Sequence, residues 1–242
     1  MVKKILFIGA NSDFGKSVIE RFDIKGNALF CVSREEYPFS HINSIKVNNY
    51  IDSLDEIKKL VIDNNINEIV IFNGFIYEGI ENKALTNKQI KDTVYINFLI
   101  PAAIITSLNK LDIKLRFSVI SSIAASKLRL KNFYYGLSKQ ALEDFILNQK
   151  TGQYLIFRSG FIFTKLTKLH KTPPFAISKE KASFIFYKNF IGRQNKQVKF
   201  FYSSKSIFLT FILFKLFPTK LLNFIEKKYF NCFVDQVIQH KG

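Results

Sequence analysis

The stretch Lys3-Lys4-Ile5-Leu6-Phe7-Ile8-Gly9-Ala10-Asn11-Ser12-Asp13-Phe14-Gly15-Lys16-Ser17-Val18-Ile19-Glu20-Arg21-Phe22 decides how the rest of the chain is read. Ile5 to Ile8 is a short apolar run of the kind that forms a strand buried on both faces. Gly9 and Gly15 bracket a turn, and Lys16 to Phe22 reads as a helix. A strand, a glycine-bearing turn and a helix in this order let backbone N–H groups at the helix N-terminus hold a pyrophosphate. A tight turn that binds nothing has the same glycine spacing, so the remaining sequence must decide between the two.

Further strand-like apolar runs occur at Ala28 to Val32, Ile69 to Phe72, Phe117 to Ile120 and Tyr154 to Phe157, separated by segments long enough for crossover helices. Parallel strands need such crossovers, and a sheet covered on both faces has strands without polar alternation. The pattern predicts an α/β fold: a single doubly wound parallel sheet of the Rossmann type with helices on both faces. At 242 residues and 48% hydrophobic, the chain is large enough for one well-buried core. It shows no internal repeat and no low-complexity linker.

Candidate chemistry lies in the middle of the chain, at Ser121-Ser122 and Tyr135-Gly136-Leu137-Ser138-Lys139. A phenol donates a proton near neutral pH only if something lowers its pKa of ~10, and an adjacent ammonium does so by favouring the phenolate. Lys139 follows Tyr135 by four residues, so on a helix the two share a face. With 10 Tyr and 30 Lys in the chain, about one such spacing is expected by composition, and one occurs. Its weight therefore comes from order and context.

Taken together, these segments resemble the short-chain dehydrogenase/reductase family, in order over about two thirds of the chain. Gly9-Ala10-Asn11-Ser12-Asp13-Phe14-Gly15 looks like the family's Gly-x-x-x-Gly-x-Gly cofactor turn, with Asp13 in place of the central glycine. Ile69-Val70-Ile71-Phe72-Asn73-Gly74 looks like its fourth strand with the Asn-Asn-Ala-Gly ending reduced to Asn73-Gly74. Asn97, with Pro101 four residues later, resembles the helix that supplies an active-site asparagine. Ser122 precedes Tyr135 by 13 residues, a spacing typical of the family's serine–tyrosine pair. Arg158-Ser159-Gly160-Phe161-Ile162-Phe163-Thr164 looks like the Pro-Gly-x-x-x-Thr segment beside the nicotinamide, with Ser159 for the proline.

The resemblance implies a reductase in which Tyr135 donates a proton to a carbonyl oxygen while hydride comes from a nicotinamide. Lys139 would hold down the tyrosine pKa and bind the nicotinamide ribose, Ser122 would hold the carbonyl oxygen, and Asn97 would anchor a water that replenishes the proton. Gly9, Asn11, Ser12, Asp13, Phe14, Gly15, Arg34, Asn49, Asn73, Gly74, Ile162 and Thr164 would line the cofactor, together with Tyr135 and Lys139. Strand–helix alternation stops near Lys165, and Pro173-Pro174 marks a change of character. Residues 1–164 are thus expected to form the cofactor-binding and catalytic core, and residues 165–242 a substrate lid and a helical, apolar and basic C-terminal extension of the same domain.

The end of the second strand, Ala28-Leu29-Phe30-Cys31-Val32-Ser33-Arg34, bears on cofactor choice. An acidic residue there accepts from ribose hydroxyls, whereas an arginine pairs with a 2′-phosphate. Ser33-Arg34 favours NADP(H) over NAD(H), unless Arg34 merely opens a solvated loop with Glu35 and Glu36 as partners. Asn49 stands where the family often has an aspartate near the adenine.

Charge is distributed unevenly. Residues 1–150 carry 20 Lys+Arg against 16 Asp+Glu, whereas residues 151–242 carry 16 against 3, most of the net +17, and 16 of the 27 Phe. Ser206 to Phe217 is almost wholly apolar, and Lys220 to Lys228 has an apolar and a basic face. As a helix the first stretch is ~18 Å long, too short for a hydrocarbon core of ~30 Å, but suited to lying in a membrane interface with lysines on anionic headgroups. A buried lid and a homo-oligomer contact are competing uses of the same run. Nucleic acid is not expected, because a contiguous apolar run beside the lysines suits lipid better than phosphate alone.

With no hydrophobic leader before the first strand and only Cys31 and Cys232, the expectation is a cytoplasmic protein without a disulfide framework, peripheral at the membrane's cytoplasmic face. No Cys/His cluster suggests a metal. A narrower resemblance, carried by Gly-Ala-x-Ser-Asp, Arg158-x-Gly160-Phe161-Ile162, Pro173-Pro174 and the apolar, basic C-terminus, is to the reductases of decaprenyl-phosphoryl 2-keto-pentofuranose. It implies a ketone on a lipid-linked glycosyl carrier. Another lipidic ketone, such as a 3-oxoacyl thioester, is the alternative substrate. A non-enzymatic cofactor-sensing protein is the alternative of another class, and Ser122, Tyr135 and Lys139 argue against it.

Overall fold

The computed structural model describes residues 2–77, 85–128, 132–167, 172, 175–192 and 196–230, with the backbone alone for Leu166 and residues 225–230. Pro173-Pro174 and Cys232 lie outside the described residues. In chain order the elements are β1 (Lys4–Ile8), α1 (Asp13–Asp23), β2 (Ala28–Ser33), β3 (Asn43–Lys46), α2 (Leu54–Asp63), β4 (Glu68–Ile71) and α3 (Asn87–Val94). A π-helical turn, Tyr95–Leu99, joins α3 to α4 (Ile100–Leu108). Then follow β5 (Arg116–Ser122), a 3-10 turn at Ile123–Ser126, α5 (Phe133–Leu147), β6 (Gln153–Ser159), β7 (Ile162–Phe163), β8 (Ile177–Ser178) and α6 (Lys179–Ile191). The described chain closes with β9 (Val198–Tyr202), α7 (Lys205–Leu216) and α8 (Thr219–Phe230).

The main sheet has seven strands in the order β3-β2-β1-β4-β5-β6-β9, all parallel. Strand periodicity splits β1 between two cores. Leu6 and Ile8 pack on one face with Ile57 and Val61 of α2, Ile104 and Leu108 of α4 and Leu142 and Ile146 of α5. Ile5 and Phe7 pack on the other with Val18 and Phe22 of α1 and Phe186 and Phe190 of α6. That second face absorbs much of the chain's phenylalanine: Phe14 stacks on Phe157 at 5.8 Å, and Phe157 on Phe201 at 4.7 Å. Burial pushes the Cys31 thiol up to about 12, so this cysteine is a packing residue rather than a nucleophile.

All five strands expected from the apolar runs are present. β3 and β9 escaped the reading because they form the sheet edges, where half-exposed side chains leave no continuous apolar signature. The expectation that strand–helix alternation stops near Lys165 is corrected: β8, α6 and β9 continue it, and β9 pairs with β6 as the last strand of the same sheet.

α7 begins at a Ser204 cap, whose side chain accepts from the Ile207 N–H. It packs through Ile207 onto Gly160, so closely that a Cβ at Gly160 would lie 2.4 Å from Ile207 Cδ1.

Candidate active site

Every candidate residue lies at or beyond the C-terminal ends of the strands, where open α/β sheets place their ligands. Ser122 ends β5, and its Oγ accepts from the Ala124 N–H at 3.2 Å, capping the 3-10 turn. The same hydroxyl is near enough to the phenol of Tyr135, in the first turn of α5, to favour its ionised form. The helix comes this near because residue 136 is glycine: a Cβ there would stand 2.8 Å from the Ala124 carbonyl oxygen.

Lys139, one turn further along α5, is 1% exposed and donates to the carbonyls of Ile120 at 2.9 Å and Asn73 at 3.1 Å. Asn97 is fully buried in the π-helical turn, the kind of helical irregularity often found at functional sites. Its amide donates to Phe75 O at 2.6 Å and Thr93 O at 2.8 Å and accepts from Phe75 N at 3.0 Å, which locks the loop leaving β4. Gly74 sits between these groups: a Cβ there would lie 3.6 Å from Lys139 Nζ and 3.8 Å from Asn97 Oδ1. The structure therefore joins Ser122, Tyr135 and Lys139 with Asn73, Gly74 and Asn97 at the C-terminal ends of β4 and β5.

The electrostatics differ from the expectation that Lys139 lowers the tyrosine pKa. Burial raises the Tyr135 pKa above that of an ordinary phenol, and the nearby Ser122 hydroxyl pulls it part of the way back. Burial also brings Lys139 down to about 7, against the field of Glu143, which favours its charged form. An ammonium so reluctant to hold its proton is a weak source of field for its neighbour.

The expected cofactor turn is held as a frame. Gly9 has φ +74, and a Cβ there would come within 3.2 Å of Asn73 N, so glycine meets both a backbone and a packing demand. Ser12 caps α1 by accepting from Gly15 N at 3.0 Å, which leaves the Asp13 and Phe14 N–H groups as the orphan donors of the helix end. Asp13 opens α1 in helical backbone, so the glycine it replaces is not required. Its carboxylate accepts from Lys165 N at 2.6 Å and ties α1 to the segment of Ile162 and Thr164. Thr164 N donates to Thr167 Oγ1 at 2.9 Å, and Ile162 is buried in β7. Asn11 donates to Glu35 O and Glu36 O, both at 3.1 Å, joining this turn to the loop after β2.

Arg34, on that loop, is exposed and forms no ion pair with Glu35 or Glu36, and its charge acts on the Tyr50 phenol, lowering a pKa that burial raises. The Asn73 side chain and the Gly9 backbone lie near that phenol and also pull its pKa down, so Tyr50 stands between the Arg34 loop and the Gly9 turn. Asn49 turns its Oδ1 inward, accepting from Ile51 N at 2.9 Å and Tyr95 Oη at 3.0 Å, a structural task the sequence did not reveal. The buried Oδ1 atoms of Asn11 and Asn73 accept no hydrogen bond from the described residues. Unmet acceptors, orphan helix N–H groups and an exposed arginine, all just past the C-terminal ends of β1, β2 and β4, fit a dinucleotide with phosphate, amide and hydroxyl groups.

A buried ion pair that sequence reading missed supports the site from behind. Glu143 accepts from Ser121 Oγ at 2.6 Å and from Arg158 Nε and Nη2 at 2.9 and 2.6 Å, and Arg158 also donates to Tyr202 Oη at 3.1 Å. Phe200 and Phe211 cover the guanidinium at 4.2 and 4.7 Å. The available signal was the repeat of Tyr135, Lys139 and Glu143 at four-residue intervals, one helix face carrying three titratable groups.

The sequence matches no protein-family model and no curated protein. Solved structures are similar in fold. A short-chain dehydrogenase from Burkholderia cenocepacia in complex with NADP superposes with a TM-score of 0.71 at 13% identity, over 91% of this chain and 95% of that one. One from Streptomyces avermitilis gives 0.68 at 15% identity, over 96% and 97%. A short-chain dehydrogenase/reductase from Vibrio parahaemolyticus gives 0.66 at 20% identity, over 83% and 99%. The chain thus has the doubly wound fold of the short-chain dehydrogenases.

Proposed function

We propose that the protein is a nicotinamide-dependent carbonyl reductase. The observation that carries this reading is the buried Lys139, which donates to the Asn73 carbonyl at 3.1 Å, with Tyr135 one turn before it on α5 and Ser122 at the end of β5, where the Gly9–Gly15 turn and Asn73-Gly74 meet. A bound nicotinamide supplies the hydride. Ser122 holds the carbonyl oxygen by a hydrogen bond that gains strength where water is excluded. Tyr135 gives its phenolic proton to that oxygen. Lys139 and the remaining lone pair of Asn97 Oδ1 face the space left by the missing side chain of Gly74, and a water held there returns the proton.

The finer reading assigns NADP(H), through Arg34 at the 2′-phosphate, and a ketone on a lipid-linked sugar as substrate, met at the cytoplasmic face of a membrane. The test is oxidation of NADPH with a membrane extract, followed by a search for a reduced lipid-linked sugar. Tyr135→Phe keeps the ring and removes the transferable proton, so it should abolish reduction while still binding cofactor. Full turnover by that variant removes Tyr135 from the mechanism.

A further inference from the structure

α7 is apolar around most of its circumference, and its packing divides that surface in two. Ile207 is buried against Gly160, and Phe211 packs on Tyr202 of β9 at 5.4 Å; Phe208 touches Tyr202 at 5.1 Å from the margin of this side and stays 47% exposed. The other side consists of Leu209, Ile212, Leu213 and Leu216, which follow the i, i+3, i+4, i+7 spacing of a single helix face and are 56%, 36%, 40% and 72% exposed. Phe217 and Leu221, each 40% exposed, continue this stripe past Pro218 toward α8. Scattered exposed leucines need no explanation, but a contiguous stripe does.

The surrounding charge indicates what covers it. Lys205, Lys215 and Lys220 are exposed at its borders, and the chain has no acidic residue between Glu180 and Glu226. In a two-fold contact between copies of this chain, each patch meets its own image, so these lysines would face lysines with no carboxylate to offset them. A negatively charged surface with an apolar interior complements both parts of the patch. No described helix is long and apolar enough to cross a membrane, which leaves an orientation along the interface. α7 also packs against the 3-10 turn that follows Ser122, so the helix that carries the stripe lies beside the candidate active site.

We infer that the Leu209, Ile212, Leu213 and Leu216 stripe and its flanking lysines form a docking surface for an anionic lipid bilayer, with α7 lying in the plane of the interface. This deepens the reductase reading by giving a lipid-borne ketone a route to Tyr135, and it rests on that reading only for the identity of what is delivered.

The experiment is co-sedimentation of the full chain with vesicles of phosphatidylcholine alone and of phosphatidylcholine mixed with phosphatidylglycerol, at low and high salt. Wild type should bind the anionic vesicles more tightly, and salt should weaken this binding without abolishing it. Leu209→Gln with Leu216→Gln keeps helix propensity and should lower partitioning by about tenfold for each leucine, since removing an inserted apolar side chain is worth roughly one decade. Unchanged thermal unfolding and NADPH binding will show that the variant is folded. Unaltered vesicle binding by the variant overturns the proposal. So does a wild-type dimer that the variant converts to monomer without any vesicle binding, which assigns the stripe to a second copy. Lipid binding without any NADPH-dependent reduction would instead retire the reductase reading and leave the docking surface in place.

Discussion

Glu143 has the largest set of consequences for a single side chain in this protein. It is 3% exposed, shares an α5 face with Lys139, and its carboxylate is the ion-pair partner of the largely covered Arg158. Glu143→Gln should destabilise the fold by about 3 kcal/mol, the lower end for breaking a buried pair, because Arg158, its side chain only 12% exposed, is left with its charge uncompensated. Urea unfolding measures this. The same change removes the field that favours the charged form of Lys139, so Lys139 would lose its proton at a lower pH than in wild type. If catalysis uses the ammonium, the alkaline fall of kcat/KM moves to lower pH in Glu143→Gln; an unmoved profile would reduce Glu143 to a purely structural role. Arg34 is the residue that separates the two cofactors. Arg34→Ala should weaken NADPH by about 1.5–3 kcal/mol, the scale of a charged hydrogen bond, and leave NADH nearly unchanged. Equal losses in a titration of both would sink the 2′-phosphate assignment.

At the scale of elements, the contact that sets the site is between α5 and the 3-10 turn after β5. Gly136 allows it, and the neighbour that a Cβ would meet is a backbone carbonyl rather than a movable side-chain end. Gly136→Ala should therefore cost about 1–3 kcal/mol through overpacking and push Tyr135 away from Ser122. The turnover number should fall well beyond what the loss of folded protein explains, while cofactor affinity holds. Gly26 provides the contrast: it has φ +67, and a Cβ there would meet nothing within 4 Å, so Gly26→Ala encounters backbone strain alone, about 1–2 kcal/mol, and should leave kcat untouched. Equal kcat in the two variants would show that the α5 approach does not govern the chemistry. Asn97 acts at this scale too, since its amide holds the β4 exit loop to the π-helical turn and thereby fixes the Asn73 carbonyl that receives Lys139.

For the whole molecule, a net charge of +17, concentrated after residue 150, opposes the compact state by self-repulsion. Raising ionic strength from ~0.01 M to ~0.15 M shortens the screening length from ~30 Å to ~8 Å. Tm should rise by about 2–4 °C for each kcal/mol relieved, because the buried Glu68–Arg116 and Glu143–Arg158 pairs are shielded from the same screening. A fall in Tm would mean that surface ion pairs outweigh repulsion. The sequence alone determined the sheet centre, since strands buried on both faces are apolar over most of their length, and β1, β2, β4, β5 and β6 each have such a run. It also determined the Ser122, Tyr135, Lys139 order, because these residues have a local spacing that one strand end and one helix preserve. Tertiary structure alone decided the rest. β9 is recognisable only once β6 offers an edge to pair with, and Glu143 finds Arg158 only because β6 lies beneath α5. The two apolar sides of α7 look alike in sequence, and only packing against Tyr202 and Gly160 determines which one remains exposed. Charge states followed the same division: residue types set the ordinary pKa values, whereas the burial that moves Tyr135 up and Lys139 down exists only in the folded chain.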